Sequence, residues 1–253
     1  MQVRDFSRSI DGVPAVHGVA QVQDFLKYRT EWLIRRYEND LAFQEDRPFS
    51  ESIIHGNLLL NAGIQLAEDL LIGAGGNAFN NANSSIGVGD GGPTALTGTL
   101  AFTNGSAAVT GTSTLFTTEL AVGDYLVGPD GLIYTVSVIT NNTSLTLSAN
   151  YAGATVSGQT VNKVLRELAT QTGLQAGSNK LYRNMSASYP SRSSNTVTWR
   201  AVFASSDANF AWREFAINNG NAGAGTNLNR KVSYQGVKAS GQTWTTDATL
   251  TLS

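Results

Sequence analysis

The stretch TVTWRAVF, residues 196–203, alternates polar and apolar side chains along its length. Val197, Trp199, Ala201 and Phe203 share one face of this stretch. A period of two is typical of a β-strand with one buried side. Residues 196–203 therefore predict a strand that lies on an apolar core.

Working outward from this strand, the sequence predicts others over 181–189, 210–217, 232–239 and 243–252. We expect 210–217 to pair with 196–203 across residues 205–209, and 243–252 to pair with 232–239 across Ser240-Gly241. Short strands at this spacing predict a jelly-roll-like β-sandwich in a mainly-β protein.

Residues 97–161 contain no Lys or Arg and are rich in Thr, Gly, Val and Leu. Turn signals divide them into short apolar segments, at Asn104-Gly105, Gly128-Pro129-Asp130-Gly131 and Asn141-Asn142. These features predict a small β-barrel inserted into the sandwich. The sandwich would then consist of residues 40–96 plus 162–253.

Residues 57–72 predict the one main helix. Asn57 is a suitable N-cap, and Gly73 lies where a C-cap glycine is expected. An apolar stripe recurs at helical spacing at Leu60, Ile64, Ala67 and Leu71. Gly63 costs about 1 kcal/mol relative to Ala inside a helix, a cost that close packing of another segment would offset.

Residues 1–39 predict an extended N-terminal arm within a charge-rich first region. The pattern over 22–37 fits both a helix and a strand, and we favour a helix near 20–30 that runs into a strand near 31–38. The arm supplies the candidate interface with a partner protein, namely Arg4, Phe6, Arg8, Phe25, Trp32, Arg35 and Arg36.

Composition excludes several classes of function. The formal net charge of −2 argues against nucleic-acid binding, which needs a basic face. The cluster around Arg35 and Arg36 is interleaved with acids and indicates a solvated mixed-charge face. The absence of cysteine excludes disulfides, Cys-ligated zinc and a thiol nucleophile. No apolar segment approaches the ~20 residues that a membrane span needs.

Three patterns could suggest chemistry, and none predicts a catalytic, cofactor-binding or metal-binding residue. Gly87–Gly92 matches the dinucleotide-binding glycine pattern, but the residues after it are unsuited to the helix that this motif requires. The two histidines, His17 and His55, lack a nucleophile motif beside them. Asp124 and Asp130 are turn residues that begin no calcium loop.

Paired carboxylates could support glycoside hydrolysis, and the acids near the last strands are Asp207, Glu214 and Asp247. Glu214 lies in an alternating strand, and we expect it to pair with an arginine. Aromatic residues crowd the last sixty positions, at Trp199, Phe203, Phe210, Trp212, Phe215 and Trp244. A carbohydrate-binding or protein-binding face would use exposed aromatics, but their alternating positions favour a shared core.

Several segments resemble structural proteins encoded in tailed-bacteriophage virion gene clusters. They are Asn57–Gly63, Ile86–Asp90, Ala208–Ile217 and Leu228–Arg230. Within the predicted barrel, Val109–Thr112, Leu115-Phe116, Val122–Asp124 and Tyr134–Val136 resemble a small β-module found in phage tail and head proteins. The resemblance implies a multimeric virion component.

The sequence thus predicts a non-enzymatic virion protein that needs no cofactor and is assembled in the bacterial host cytoplasm. The leading hypothesis is a capsid decoration, or cement, protein that binds the major capsid protein or other virion proteins as a homo-oligomer, with a trimer favoured. The alternative is a tail, baseplate or fibre component that binds a host receptor. A fibre shaft would show repeats or heptads, and their absence favours the capsid.

Overall fold

The computed structural model describes residues 27–253. This part of the chain is mainly β and antiparallel, as predicted. Its helices are α1 (Asp40–Gln44), α2 (Asn61–Ile72) and α3 (Phe116–Glu119), and a 3₁₀ turn covers Asn221–Gly223. Its strands are β1 (Tyr28–Tyr37), β2 (Ser50–His55), β3 (Leu58–Leu59), β4 (Ser85–Gly89), β5 (Thr94–Ala95), β6 (Thr99–Phe102), β7 (Ala108–Thr112), β8 (Tyr125–Val127), β9 (Ile133–Asn141), β10 (Ser144–Leu147), β11 (Val156–Gln159), β12 (Asn162–Val164), β13 (Lys180–Asn184), β14 (Ser191–Ser193), β15 (Thr196–Phe203), β16 (Glu214–Asn218), β17 (Asn229–Val232) and β18 (Thr243–Leu252).

Two five-stranded sheets pack together in a sandwich-like arrangement. Their strand orders are β14-β15-β18-β1-β2 and β13-β4-β16-β17-β3. One apolar core contains residues of both sheets, and in it Trp212 lies 4.8 Å from both Phe203 and Trp244 between ring centroids. The predicted strand over 196–203 and the predicted aromatic core are both confirmed, although Phe210 is only partly buried.

The predicted arm boundary at residue 39 is wrong. Residues 28–37 form β1, an interior strand that pairs with β18 on one side and β2 on the other. Trp32 and Ile34 point into the core and are fully buried. The apolar face of this alternating segment is therefore covered by the core of the sandwich. The strand predicted near 31–38 is confirmed, and the helix predicted near 20–30 is wrong at residues 28–30, which belong to β1. Residues 1–26 of the predicted arm lie outside the described residues.

Two predicted strand pairings are also wrong. β15 pairs with β18 and β14, while β16 lies in the opposite sheet beside β4 and β17. β18 pairs with β1 and β15. The segment 232–239, which we expected to pair with β18, contains only the last residue of β17. Alternation specifies which face of a strand is buried, but it does not specify the neighbouring strand.

The third sheet has eight strands, in the order β11-β6-β7-β10-β9-β8-β12-β5, and curls into a half-barrel around its own core. The hairpins predicted at Asn104-Gly105, Gly128–Gly131 and Asn141-Asn142 are confirmed. Because β5 and β12 belong to this sheet, it extends from Thr94 to Val164 and not only over 97–161. In the sandwich, β4 and β13 flank this segment in sequence and pair directly with each other.

Helix α2 begins later than predicted and ends as predicted. Residues 58–59 pair with β17 as β3, so the chain stays extended up to Leu60, and Asn57 is not the N-cap. Gly73 ends the helix in the left-handed conformation, with φ of 72°. A Cβ on Gly63 would lie 2.5 Å from the carbonyl oxygen of Leu228, which confirms the expected close packing at this glycine.

Candidate interaction surface

Of the seven predicted interface residues, only Trp32, Arg35 and Arg36 fall in the described part of the chain. The others, Arg4, Phe6, Arg8 and Phe25, lie outside it. The prediction of Trp32 as an interface residue is wrong, because its ring is fully buried against Phe215 at a centroid distance of 5.7 Å. The predicted cluster therefore does not form one surface within residues 27–253.

Arg36 is also buried and serves the fold. Its Nη2 donates to the carbonyl oxygen of Gln235 at 2.8 Å and to Ser52 Oγ at 3.0 Å. Its guanidinium lies 4.9 Å from the ring centroid of Trp244. Burial lowers the pKa of Arg36. These contacts hold β1 against the 233–237 loop. The prediction of Arg36 as an interface residue is therefore wrong.

Arg35 lies on the outer face of its sheet in a network with Asp247. Arg35 Nε donates to Glu51 at 2.9 Å, and its Nη1 lies 3.4 Å from Asp247. Arg200 Nε donates to the same aspartate at 2.6 Å and stacks on Tyr189. The hydrogen bond from Arg200 to Asp247 raises the pKa of Arg200. The predicted mixed-charge face is therefore present at Arg35, whereas Arg36, which was predicted on the same solvated face, is buried.

Glu214 pairs with an arginine, as predicted. Arg230 Nε donates to Glu214 Oε2 at 2.8 Å, and both side chains are fully buried. The backbone N–H groups of Gln175 and Ala176 donate to the two carboxylate oxygens at 2.9 and 2.7 Å. A Cβ on Gly89 would lie only 2.6 Å from Glu214 Oε1, so a glycine is required beside this carboxylate.

Asp207 also binds an arginine. Arg183 donates to both of its carboxylate oxygens, and the N–H of Ala204 donates at 3.0 Å. Lys238 secures the same loop, since its Nζ donates to the carbonyl oxygen of Ala204 at 2.8 Å and to Asn209 Oδ1 at 2.9 Å. Burial lowers the pKa of Lys238. All three acids considered for glycoside hydrolysis therefore bind arginines of the fold.

A polar junction joins the half-barrel to the sandwich. Glu167 accepts from Tyr125 Oη of β8 at 3.0 Å and from the N–H of Val232 in β17 at 2.7 Å. Arg166 donates to the buried Asp124 of the half-barrel at 3.1 Å. Arg230 Nη1 donates to the carbonyl oxygens of Leu165 and Arg166, both at 3.1 Å.

We define Asp124, Tyr125, Arg166, Glu167, Arg230 and Val232 as the junction. Sequence analysis missed it because no local pattern links residues that lie about forty to a hundred positions apart.

The glycine run Gly87–Gly92 has a packing role. After it the chain forms β5, a strand, and the helix N-terminus needed to hold a pyrophosphate does not follow. A Cβ on Gly87 would lie 2.4 Å from the ring of Tyr182. His55 is exposed, and its Nδ1 lies 2.9 Å from Glu31. His17 lies outside the described residues.

Helix α2 carries three exposed large hydrophobic side chains, Ile64, Leu71 and Ile72. Its inner side, at Gly63, Leu66 and Leu70, faces the protein. The neighbouring stripe of Ile64, Ala67 and Leu71 faces solvent, with Ile64 39% and Leu71 86% exposed. Of the predicted stripe at helical spacing, Leu60 is buried, whereas Ile64, Ala67 and Leu71 are not. An exposed stripe of this kind typically marks an interaction site.

Other features of residues 27–253 give weaker indications of a binding or catalytic site. Two open cavities of about 350 and 430 Å³ flank β13 and are lined mainly by polar groups. No cluster of three or more metal-ligating side chains occurs among these residues. None of their helices is long and apolar enough to cross a membrane. The exposed stripe of α2 is therefore the candidate interaction surface.

The chain was compared with protein-family models, curated proteins and solved structures. No match was found.

Proposed function

We propose that this chain is a non-enzymatic structural protein of a tailed-bacteriophage particle, and specifically a capsid decoration protein that binds and stabilises the assembled head shell. Its partners would be the major capsid protein or other virion proteins, and copies of itself in a trimer. In this proposal the two five-stranded sheets form a jelly-roll-like sandwich, and residues 94–164 form an inserted module.

One observation carries the proposal: the four sandwich segments that resemble phage virion proteins are packed together. Gly63 of the first contacts Leu228 of the fourth. Gly89 of the second lies against Glu214 of the third, and Glu214 pairs with Arg230 of the fourth. These four segments therefore belong to one packed unit, and the first of them ends at Gly63, near the start of α2.

In the described part of the chain, the acids considered for glycoside hydrolysis serve the fold. The acids Asp207, Glu214 and Asp247 each accept hydrogen bonds from arginines, and most of the aromatic residues of the last sixty positions are in the core. A decoration protein stabilises a shell by binding assembled subunits more tightly than free ones. Since many copies act together, each contact can be weak.

Imaging of the encoding phage with the chain labelled would test this proposal. We expect the label to cover the head, and we expect purified protein to rebind undecorated shells and raise their temperature of disruption. A label confined to the tail tip would replace the decoration role with the tail or receptor-binding role. Absence of the chain from purified particles would overturn both.

A further inference from the structure

Lys238 is the one lysine that is buried within residues 27–253, with 1% of its surface exposed. It forms no salt bridge in this part of the chain. Its Nζ donates two hydrogen bonds, to the carbonyl oxygen of Ala204 at 2.8 Å and to Asn209 Oδ1 at 2.9 Å. A lysine ammonium has three N–H donors, whereas the neutral amine has two and a lone pair. The hydrogen bonds around Nζ therefore match the neutral amine.

The surroundings of Nζ also favour the amine over the ammonium. A buried cation without a carboxylate partner is costly, so the group releases its proton more readily. Burial accordingly lowers the pKa of Lys238, and the charges of Asp207 and Asp40 offset only part of this effect. A lysine amine that is desolvated in this way is an activated nucleophile.

The carboxamide of Asn209 is held beside this amine. Its Oδ1 accepts from Nζ, and its Nδ2 donates to the carbonyl oxygen of Ser205 at 3.2 Å. The backbone fixes the two residues next to each other, because the N–H of Lys238 donates to the carbonyl oxygen of Phe210 at 3.1 Å. The χ2 torsion of asparagine is broad, so a rotation of the carboxamide turns Cγ toward the lone pair of Nζ. Groups held in contact in this way react far faster than free ones.

We propose that the folded chain forms an isopeptide bond between Lys238 Nζ and Asn209 Cγ. The lone pair of the amine attacks Cγ, the bond between Cγ and Nδ2 breaks, and one amine proton passes to Nδ2, so that ammonia leaves. The atoms balance without an added reactant. Asp207 and Asp40 are the carboxylates whose charges act on the amine, and either can carry the proton. Asn209 is exposed, so the ammonia has a path to solvent.

The bond ties together parts of the chain that belong to different sheets. Asn209 lies between β15 and β16, which are in opposite sheets of the sandwich, and Lys238 precedes β18. A covalent link between them closes a loop that contains β16 and β17, which restricts the unfolded chain. The reaction occurs once in each chain and converts no substrate, so it does not rest on the proposed function.

Tryptic mapping of the full-length wild-type chain tests the bond directly. Without the bond, trypsin releases residues 201–213 and 232–238 as separate peptides. We expect one branched peptide in which residues 201–213 are joined to residues 232–253, because trypsin does not cleave after an acylated lysine. Its mass should be lower than the sum of its two parts by one ammonia. Separate peptides of unmodified mass would overturn the proposal.

The intact masses of variants identify the two reacting residues. Asn209→Ala and Lys238→Met should each retain the ammonia that the wild type loses, whereas Lys180→Met, at an exposed lysine, should lose it as the wild type does. Because Asn209 is exposed, circular dichroism should show Asn209→Ala folded even if Lys238→Met unfolds. An equal loss of ammonia in the wild type and in Asn209→Ala would place the reaction elsewhere in the chain and overturn the bond.

Discussion

Glu214 and Arg230 form an ion pair in which both side chains are fully buried. Removal of one partner from such a pair leaves an uncompensated charge in the interior, at a cost of about 3–5 kcal/mol. We therefore expect Arg230→Met to lower the free energy of unfolding by about that amount, as measured by urea denaturation. Arg29→Met, which breaks the exposed pair with Glu31, should cost at most about 1 kcal/mol.

The double variant Glu214→Met/Arg230→Met separates pairing from simple loss of packing. It removes both charges, so it should be less destabilised than the sum of the single variants, although the N–H groups of Gln175 and Ala176 lose their acceptor. Additive single and double variants would show that the two side chains do not interact energetically.

We predict that ionisation of Tyr182 lowers the stability of the fold at alkaline pH. Its ring lies between Gly87 and Gly223, its hydroxyl donates to Asn227 at 3.0 Å, and burial raises its pKa to about 12. The folded chain therefore keeps a proton that the unfolded chain releases near pH 10. This contribution to stability is complete below about pH 10 and disappears as the pH rises through about 12.

Urea unfolding at pH 9, 10.5 and 11.5 measures this effect. We expect Tyr182→Phe to lose less stability over this range than the wild type, with the exposed Tyr28→Phe as the matched control. Part of the loss should persist in Tyr182→Phe, because burial also raises the pKa values of Tyr37 and Tyr134 to about 12. Identical pH profiles for Tyr182→Phe and the wild type would contradict the assignment.

At the scale of single elements, Gly63 decides how closely α2 approaches the sandwich. Alanine favours a helix by about 1 kcal/mol over glycine. At this position, however, its Cβ would lie 2.5 to 2.7 Å from backbone atoms of Leu228 and Asn227. Overpacking of this kind costs about 1–3 kcal/mol, and backbone cannot rotate away as a side chain can.

We therefore expect Gly63→Ala to lower the melting temperature despite the higher helix propensity of alanine. Gln65→Ala on the exposed side of α2 should leave it nearly unchanged. A Gly63→Ala variant that is more stable than the wild type would show that the helix is not held against Leu228.

The elements also show what the sequence could and could not predict. Hairpins such as the one around Asn104-Gly105 were predictable because the turn chemistry is local. The pairing of β1 with β18 joins residues 28–37 to 243–252, and no local pattern contains that information. The arginine partner of Glu214 was predicted as a residue type, whereas the burial of the pair inside the fold was not. The exposed stripe of α2 was not foreseen, since a helical apolar pattern is the same whether it meets its own core or another molecule.

At the scale of the whole molecule, the junction couples two cores. The half-barrel and the sandwich each have a separate apolar core. All four tryptophans of the chain, Trp32, Trp199, Trp212 and Trp244, are in the sandwich core. Tryptophan fluorescence therefore reports unfolding of the sandwich alone, whereas far-ultraviolet circular dichroism reports both units.

In the wild type we expect the two signals to change at the same temperature, because Glu167 connects Tyr125 of the half-barrel to Val232 of the sandwich. Glu167→Ala removes both hydrogen bonds at once and leaves the half-buried Tyr125 hydroxyl without this acceptor. The fluorescence and dichroism transitions should then separate by several degrees, since the two cores lose a shared constraint. Glu68→Ala, an exposed acid on α2, is the control and should keep the transitions together. Coincident transitions in Glu167→Ala would show that the apolar contacts between the two units, such as that of Val164 with Gly91, hold them together without the junction.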